Sequence, residues 1–259
     1  MQKSIFKITT FIFLMTILTS CGIDMFNRIE GNNNVIIQKR EIIDFTEVSV
    51  SNGIELIIQQ DDTISLVVEA DENLHENIIT EVIDGTLKIW TKKNIWRATS
   101  KKIHLKVNTL EELTASSGSS VISKNTIKAE DFEVSSSSGA NLNIKLETNR
   151  LVSNSSSGAK IGMEILATHV ESSSSSGSNT KLIGETTTHK ASASSGSSLN
   201  AFGLKAKNVN AKVSSGARVR VHVTESINAR ASSGGSIKYQ GNPTQVSRDT
   251  SSGGGITSD

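Results

Sequence analysis

The chain has 259 residues, and its 27 basic and 26 acidic residues nearly cancel, so bulk charge steers no partner and a nucleic-acid mode is excluded. One Pro, one Cys and ten aromatic residues are too few for an ordinary globule of this length with a thick core. The abundant Ser, Gly, Asn and Thr leave either disorder or a repeat fold with a thin core, and periodicity decides between them.

Lys3 and Lys7 precede an apolar run from Ile8 to Leu18, broken only by Thr9, Thr10 and Thr16. Such a run is shorter than the ~20 residues that span a bilayer and has the size of a signal-peptide core. Leu18-Thr19-Ser20-Cys21-Gly22 follows and resembles a bacterial lipobox, whose cysteine is lipidated after cleavage. The rival reading is an ordinary secretory signal with an incidental cysteine. The expected organisation is therefore a lipoprotein signal peptide over 1–20, a lipid on Cys21, and a tether over 21–43. The expected location is the cell envelope, anchored by lipid to the outer membrane, with the membrane as the first partner. Once Cys21 is acylated no thiol is left for a disulfide.

Residues 44–113 form the next unit and read as strands. Glu47-Val48-Ser49-Val50 leads into Ser51-Asn52-Gly53, which looks like a degenerate corner, and then into Ile54-Glu55-Leu56-Ile57-Ile58. Strands are also expected at 65–70, 85–90 and 102–107, with a helical turn or irregular loop over 74–82. This unit is expected to cap a longer stack, whose bare end would invite aggregation. Trp90 is assigned to the cap core. Trp96 stands among Lys92, Lys93, Arg97 and Lys101 and is a candidate ligand contact.

Residues 114–259 carry a repeat. Ser-Ser-Gly recurs with its glycine at Gly118, Gly139, Gly158, Gly177, Gly196, Gly216, Gly234 and Gly253, at intervals of 18 to 21 residues. Three residues after the glycine stand Val121, Leu142, Ile161, Thr180, Leu199, Val219, Ile237 and Ile256. Seven residues before it stand Glu111, Phe132, Leu151, Val170, His189, Val209, Ile227 and Val246. Apolar residues alternate with polar ones at the strand period of two. Each repeat thus reads as strand, Ser-Ser-Gly turn, strand and a second turn near Asn125, Asn149 or Gly184. About eight coils of ~19 residues, stacked at about 4.8 Å, make an all-β solenoid. Glycine supplies the positive φ of the corner, and serine hydroxyls are expected to bond backbone or serines one coil away.

The same residues weigh against chemistry. A hydrolase needs one activated serine beside a base, not sixteen interchangeable ones, so no catalytic residue is assigned. The five histidines include no His-x-x-x-His pair, and the turns hold no Asp ladder for calcium, so no metal or other cofactor is expected. The ten carboxylates of 114–259 are scattered, which disfavours a glycan-cleaving β-helix. Lys205, Lys207, Lys212, Arg218, Arg220 and Arg230 fall in three consecutive coils. Together they are a candidate face for an anionic glycan or an envelope protein; the bland alternative is solvated charge that keeps a β-rod soluble.

Val48-Ser49-Val50-Ser51-Asn52-Gly53-Ile54, Asp84-Gly85-Thr86-Leu87-Lys88-Ile89 and the Ser-Gly coils together resemble the head GIN domain family of auto-transporter adhesins, over residues 44–255. The family's signature triplet reads Gly53-Ile54-Glu55 here, departing at its third position. The resemblance implies a right-handed parallel β-helix and an adhesive role, and it carries over no catalytic residue. The expected function is a non-enzymatic envelope lipoprotein that acts as an adhesin or as a glycan- or protein-binding scaffold. Two rivals are a structural envelope protein self-assembling through its solenoid and, less favoured, a glycan-active enzyme.

Overall fold

The computed structural model describes residues 28–259. The signal peptide, Cys21 and the first part of the expected tether lie outside the described residues. Further along, residues expected to be tether are folded. They form β1 (Arg28–Glu30) and β2 (Val35–Arg40).

The cap follows as β3 (Glu47–Val50), β4 (Glu55–Gln60), β5 (Ser65–Asp71), β6 (Ile78–Ile83), β7 (Thr86–Thr91), β8 (Asn94–Arg97), β9 (Lys101–Val107) and β10 (Glu112–Ala115). β1 lies parallel to β8, and β2 antiparallel to β5. Asp71 adds to this hold at the bend between β1 and β2. Its buried carboxylate accepts the amides of Asn33, Thr99 and Ser100, each at 3.0 Å. Burial works against its ionisation, but the amides of Ser100, Asn33 and Thr99 outweigh it and hold its carboxyl below the usual range. The expected loop over 74–82 resolves into a 3-10 turn at Glu72–Leu74 and strand β6. β6 and β7 make an antiparallel hairpin at Asp84-Gly85, both at positive φ. Trp90 is only half-buried on β7, and the cap core is mainly aliphatic, with Leu56, Ile58, Leu66, Leu87, Ile89 and Leu105 joined by Phe45.

Ser51-Asn52-Gly53 is a true corner, with φ of 61° and 67° at Asn52 and Gly53. β3 pairs in parallel with β7 on one side and β10 on the other. β4 does the same with β9 and with β11 (Ser120–Ser136). The first coil therefore lies before the first Ser-Ser-Gly, with the cap laid across it.

The stack continues through β12 (Asn141–Ser155), β13 (Lys160–Ser174), β14 (Asn179–Ala193), β15 (Ser198–Val213) and β16 (Arg218–Ala231). It finishes in the shorter β17 (Ser236–Gln240), β18 (Gln245–Thr250) and β19 (Gly255–Ser258). All these pairings are parallel. The aligned columns stand in register: Leu142 lies between Val121 and Ile161, and the column runs on through Thr180, Leu199, Val219 and Ile237. The fold is the expected β-solenoid.

The corner differs from expectation in one respect. The second serine as well as the glycine is left-handed: φ is +47° to +52° at Ser117, Ser138 and their equivalents, and +69° to +75° at the glycines. Two successive positive φ values make a type I′ turn, closed for example by Ala140 N donating to Ser137 O at 3.0 Å. The ladder along the corners is backbone, with each glycine N–H donating to the second-serine carbonyl of the next coil at 3.0–3.2 Å. At the corners, hydroxyls that cross between coils come from the residue after the glycine. Ser178 Oγ donates to Ser155 O at 2.9 Å and Ser197 Oγ to Ser174 O at 2.8 Å.

The expected second turn is not a turn. β12 to β16 pass through that region unbroken. The chain bends where two successive residues face outward, as at Asn149-Arg150 and Thr168-His169. Threonine secures the bend: Thr148 Oγ1 lies 2.8 Å from Glu130 O, and Thr186 Oγ1 lies 3.1 Å from Thr168 O. Gly184 sits inside β14 at φ 120°, against the Ile165 carbonyl, where a Cβ would overlap it. Asn125 instead binds the backbone of Gln60 in both directions, at 2.9 and 2.8 Å.

Two glycine variants separate these roles. Nothing lies within 4 Å of a Cβ placed on Gly158, so Gly158→Ala should cost only its conformational penalty, about 1–2 kcal/mol. Gly184→Ala adds a backbone collision and should cost clearly more. Urea melts of the two variants against the parent measure both.

Candidate functional site: a serine-lined trough

The residues four and two positions before each corner glycine face outward on one strand of every coil. In the middle coils they are Ser173 with Ser175 and Ser192 with Ser194, preceded by Ser135 with Ser137. These side chains are short, so the backbone between them is approachable and a trough of about 690 Å³ runs along the rod. Its hydroxyls recur at the coil spacing of about 4.8 Å and extend over about 24 Å from Ser135 to Arg230. The first four rungs are neutral, through Asn154 in the second. Lys212, Arg230 and Asp249 occupy the same column in the next three. Arg230 Nε stands 3.8 Å from Asp249 Oδ2 with both side chains mostly exposed, so that pair is weak. The trough thus offers a repeating hydroxyl floor whose far end carries two cations, Lys212 and Arg230, followed by the carboxylate of Asp249.

The expected basic face divides. Only Lys212 and Arg230 reach the trough. Arg218 lies beyond the corner, between Ser198 and Ser236, and Arg220 faces Asn200 and Lys238 with its guanidinium 5.8 Å from the Phe202 ring. Lys205 and Lys207 border a different hollow beside Leu166 and Thr186. Residues within one coil point to several sides, so closeness in sequence is not closeness on a surface. Trp96 is exposed, and its ring is covered by Arg28, whose guanidinium lies 4.5 Å from the centroid. The ring offers less to a ligand than its position suggests. The sequence signal for the trough is the column four before each glycine, where short polar residues stand in successive coils: Ser135, Asn154, Ser173, Ser192.

The histidines do not meet. His169 is exposed and pairs with Thr188 Oγ1 at 2.8 Å, whereas His189 takes the inward −7 column among aliphatic residues. His189 Nε2 lies 2.8 Å from Ser172 Oγ, and Nδ1 has no protein partner. Among the described residues no group of three His, Cys, Asp or Glu side chains could hold a metal ion. Carboxylates of the solenoid pair with lysines one coil away, as Glu171 with Lys190 at 2.6 Å and Glu164 with Lys145 at 3.0 Å.

Residues 44–243 match the family described as "putative auto-transporter adhesin, head GIN domain". The chain belongs to this family. Three solved structures are similar in fold. An adhesin-named protein of Parabacteroides merdae has 22% identity and a TM-score of 0.85, covering 90% of this chain and 99% of that one. A protein of Parabacteroides distasonis named for lipid binding has 23% identity and a TM-score of 0.81, with the same coverage. An adhesin-named protein of P. distasonis has 19% identity and a TM-score of 0.79, covering 90% of this chain and all of that one. No curated protein matches the chain in sequence. Family members and structural relatives are thus named for adhesion or lipid binding rather than for catalysis.

Burial lowers the His189 pKa from 6.5 to about 4. The unfolded chain therefore binds the proton first as pH falls, and stability drops between pH 6.5 and 4 by about 1.4 kcal/mol per unit. The double variant His189→Leu/Ser172→Ala removes this proton and the hydroxyl it would orphan. Urea melts at pH 7 and 5 should show the parent losing about 2 kcal/mol more than the variant between the two.

Proposed function

We propose that this protein is a non-enzymatic binding rod of the cell envelope, held to the outer membrane by a lipid on Cys21, whose trough takes an extended, polyhydroxylated chain such as a glycan strand. The trough carries this reading. A linear polymer presents the same group at regular intervals, and the floor presents matching donors and acceptors on every coil. Serine hydroxyls donate and accept, which suits sugar hydroxyls, and Lys212 and Arg230 suit an acidic sugar at one end. The backbone floor is rigid because each coil is bonded on both sides, so little order is lost on binding. Family membership agrees with an adhesive role.

Two measurements test the reading. Ser173→Tyr and Ser192→Tyr fill the middle of the trough from outside the core, so melting should be unchanged. Binding on a glycan array should fall about tenfold or more. Equal binding by parent and variants would move the site elsewhere. Cys21→Ala should shift the protein from the membrane fraction to the soluble one; retention with membranes would refute the anchor.

A further inference from the structure

Another concavity, of about 450 Å³, opens at the cap end of the corner ladder, where Asn52-Gly53 stacks on Ser117. Lys92 and Lys101 line it, and no carboxylate does. Lys101 is half-buried and its pKa is lowered by desolvation, and two of the cap's carboxylates, Glu69 and Asp61, are engaged elsewhere. Glu69 meets His104 and Ser100, and Asp61 meets Lys106. The ammonium is laid over the corner: a Cβ on Gly53 would stand 2.8 Å from Lys101 Nζ, whereas the eight later corner glycines have nothing within 4 Å. This one corner is therefore built differently from the rest.

The remaining lining groups are also set to donate. Ser51 Oγ donates to Asn52 Oδ1 at 2.8 Å, which leaves the Asn52 Nδ2 donor for the hollow. Thr91 is buried, lines the same hollow, and its hydroxyl has no protein partner. Asn94 and the Ser117 hydroxyl complete the wall. Two cations and several neutral donors converging from different elements suit a ligand rich in acceptor oxygens, with charge to balance both lysines. A half-buried ammonium with no counter-ion is costly, and an anion would relieve that cost.

We propose that this hollow is a binding site for a tetrahedral oxyanion of the phosphate class, either free or displayed as a sugar phosphomonoester. It shares no lining residue with the trough, so each can fail without the other. The test uses the purified full-length protein, with inorganic phosphate and mannose 6-phosphate as probes against chloride at matched ionic strength. Phosphorus NMR line broadening and thermal melting read the binding. Both signals should appear in the parent, weaken about tenfold in Lys101→Gln and less in Lys92→Gln, and persist within about threefold in Lys101→Arg. Lys101→Gln without ligand should melt no lower than the parent, because it removes an unpaired, desolvated charge. Tighter binding of the phosphosugar assigns the site to a displayed group, and tighter binding of inorganic phosphate assigns it to the free ion. No response beyond chloride, or an equal response in Lys101→Gln, overturns the proposal.

Discussion

Everything in this molecule depends on one backbone constraint. A coil of about 19 residues cannot satisfy its own amides and carbonyls, because in parallel pairing the partners lie on other strands. Each coil must therefore find them on the coils above and below, in register. The corner shows this most tightly. Glycine N–H reaches the second-serine carbonyl of the next coil, and the strained left-handed serine is held in place by the pairings on both sides. Strain of about 1–2 kcal/mol at each such serine persists only because the stack over-determines it.

The same constraint explains the thin interior. With spacing set by hydrogen bonds, one inward residue per column must fit the slot left by its two neighbours. Small residues hold the position after the corner glycine, as Ser119, Ala140, Ala159, Ser178, Ser197 and Ala217. Some inward polar residues are answered by a neighbour, Thr180 by Ser174 at 2.8 Å and His189 by Ser172 at the same distance, whereas the buried hydroxyls of Ser153 and Ser155 have no protein partner. The apolar bulk missing from the composition is supplied at the N-terminal end, where Ile, Leu and Val from the cap and first coil close the stack. Asp71 ties the segment before the cap to the β8–β9 junction, so residues 28–40 belong to the cap rather than to a tether.

Function then falls to the outside, and the outside inherits the order of the inside. Because every coil repeats the same outward positions, a small side chain at one of them becomes a trough, and a charge at the next coil becomes one end of it. The first corner departs from the repeat by setting Lys101 across Gly53, and that departure makes a hollow of different chemistry at the cap end. A repetitive scaffold thus carries one extended surface and one local exception.

The sequence by itself determined the solenoid, its coil length, its corners and its inward columns. Those depend on local rules, the period of two along a strand and the need for glycine at positive φ, which recur often enough to be counted. Ser51-Asn52-Gly53 was legible as a corner for the same reason. Tertiary structure decided the rest. It showed that the second turn is a bend inside continuous strands, because the coil-to-coil pairing tolerates two outward residues in a row without a break. It divided Lys205, Lys207, Lys212, Arg218, Arg220 and Arg230 among separate faces, since a coil turns through every side within 19 residues. It also brought Lys101 beside Gly53, 48 positions apart in the chain, through the pairing of β4 with β9. Periodicity states which residues point outward, but only the stacking of coils and cap decides which outward residues share a surface.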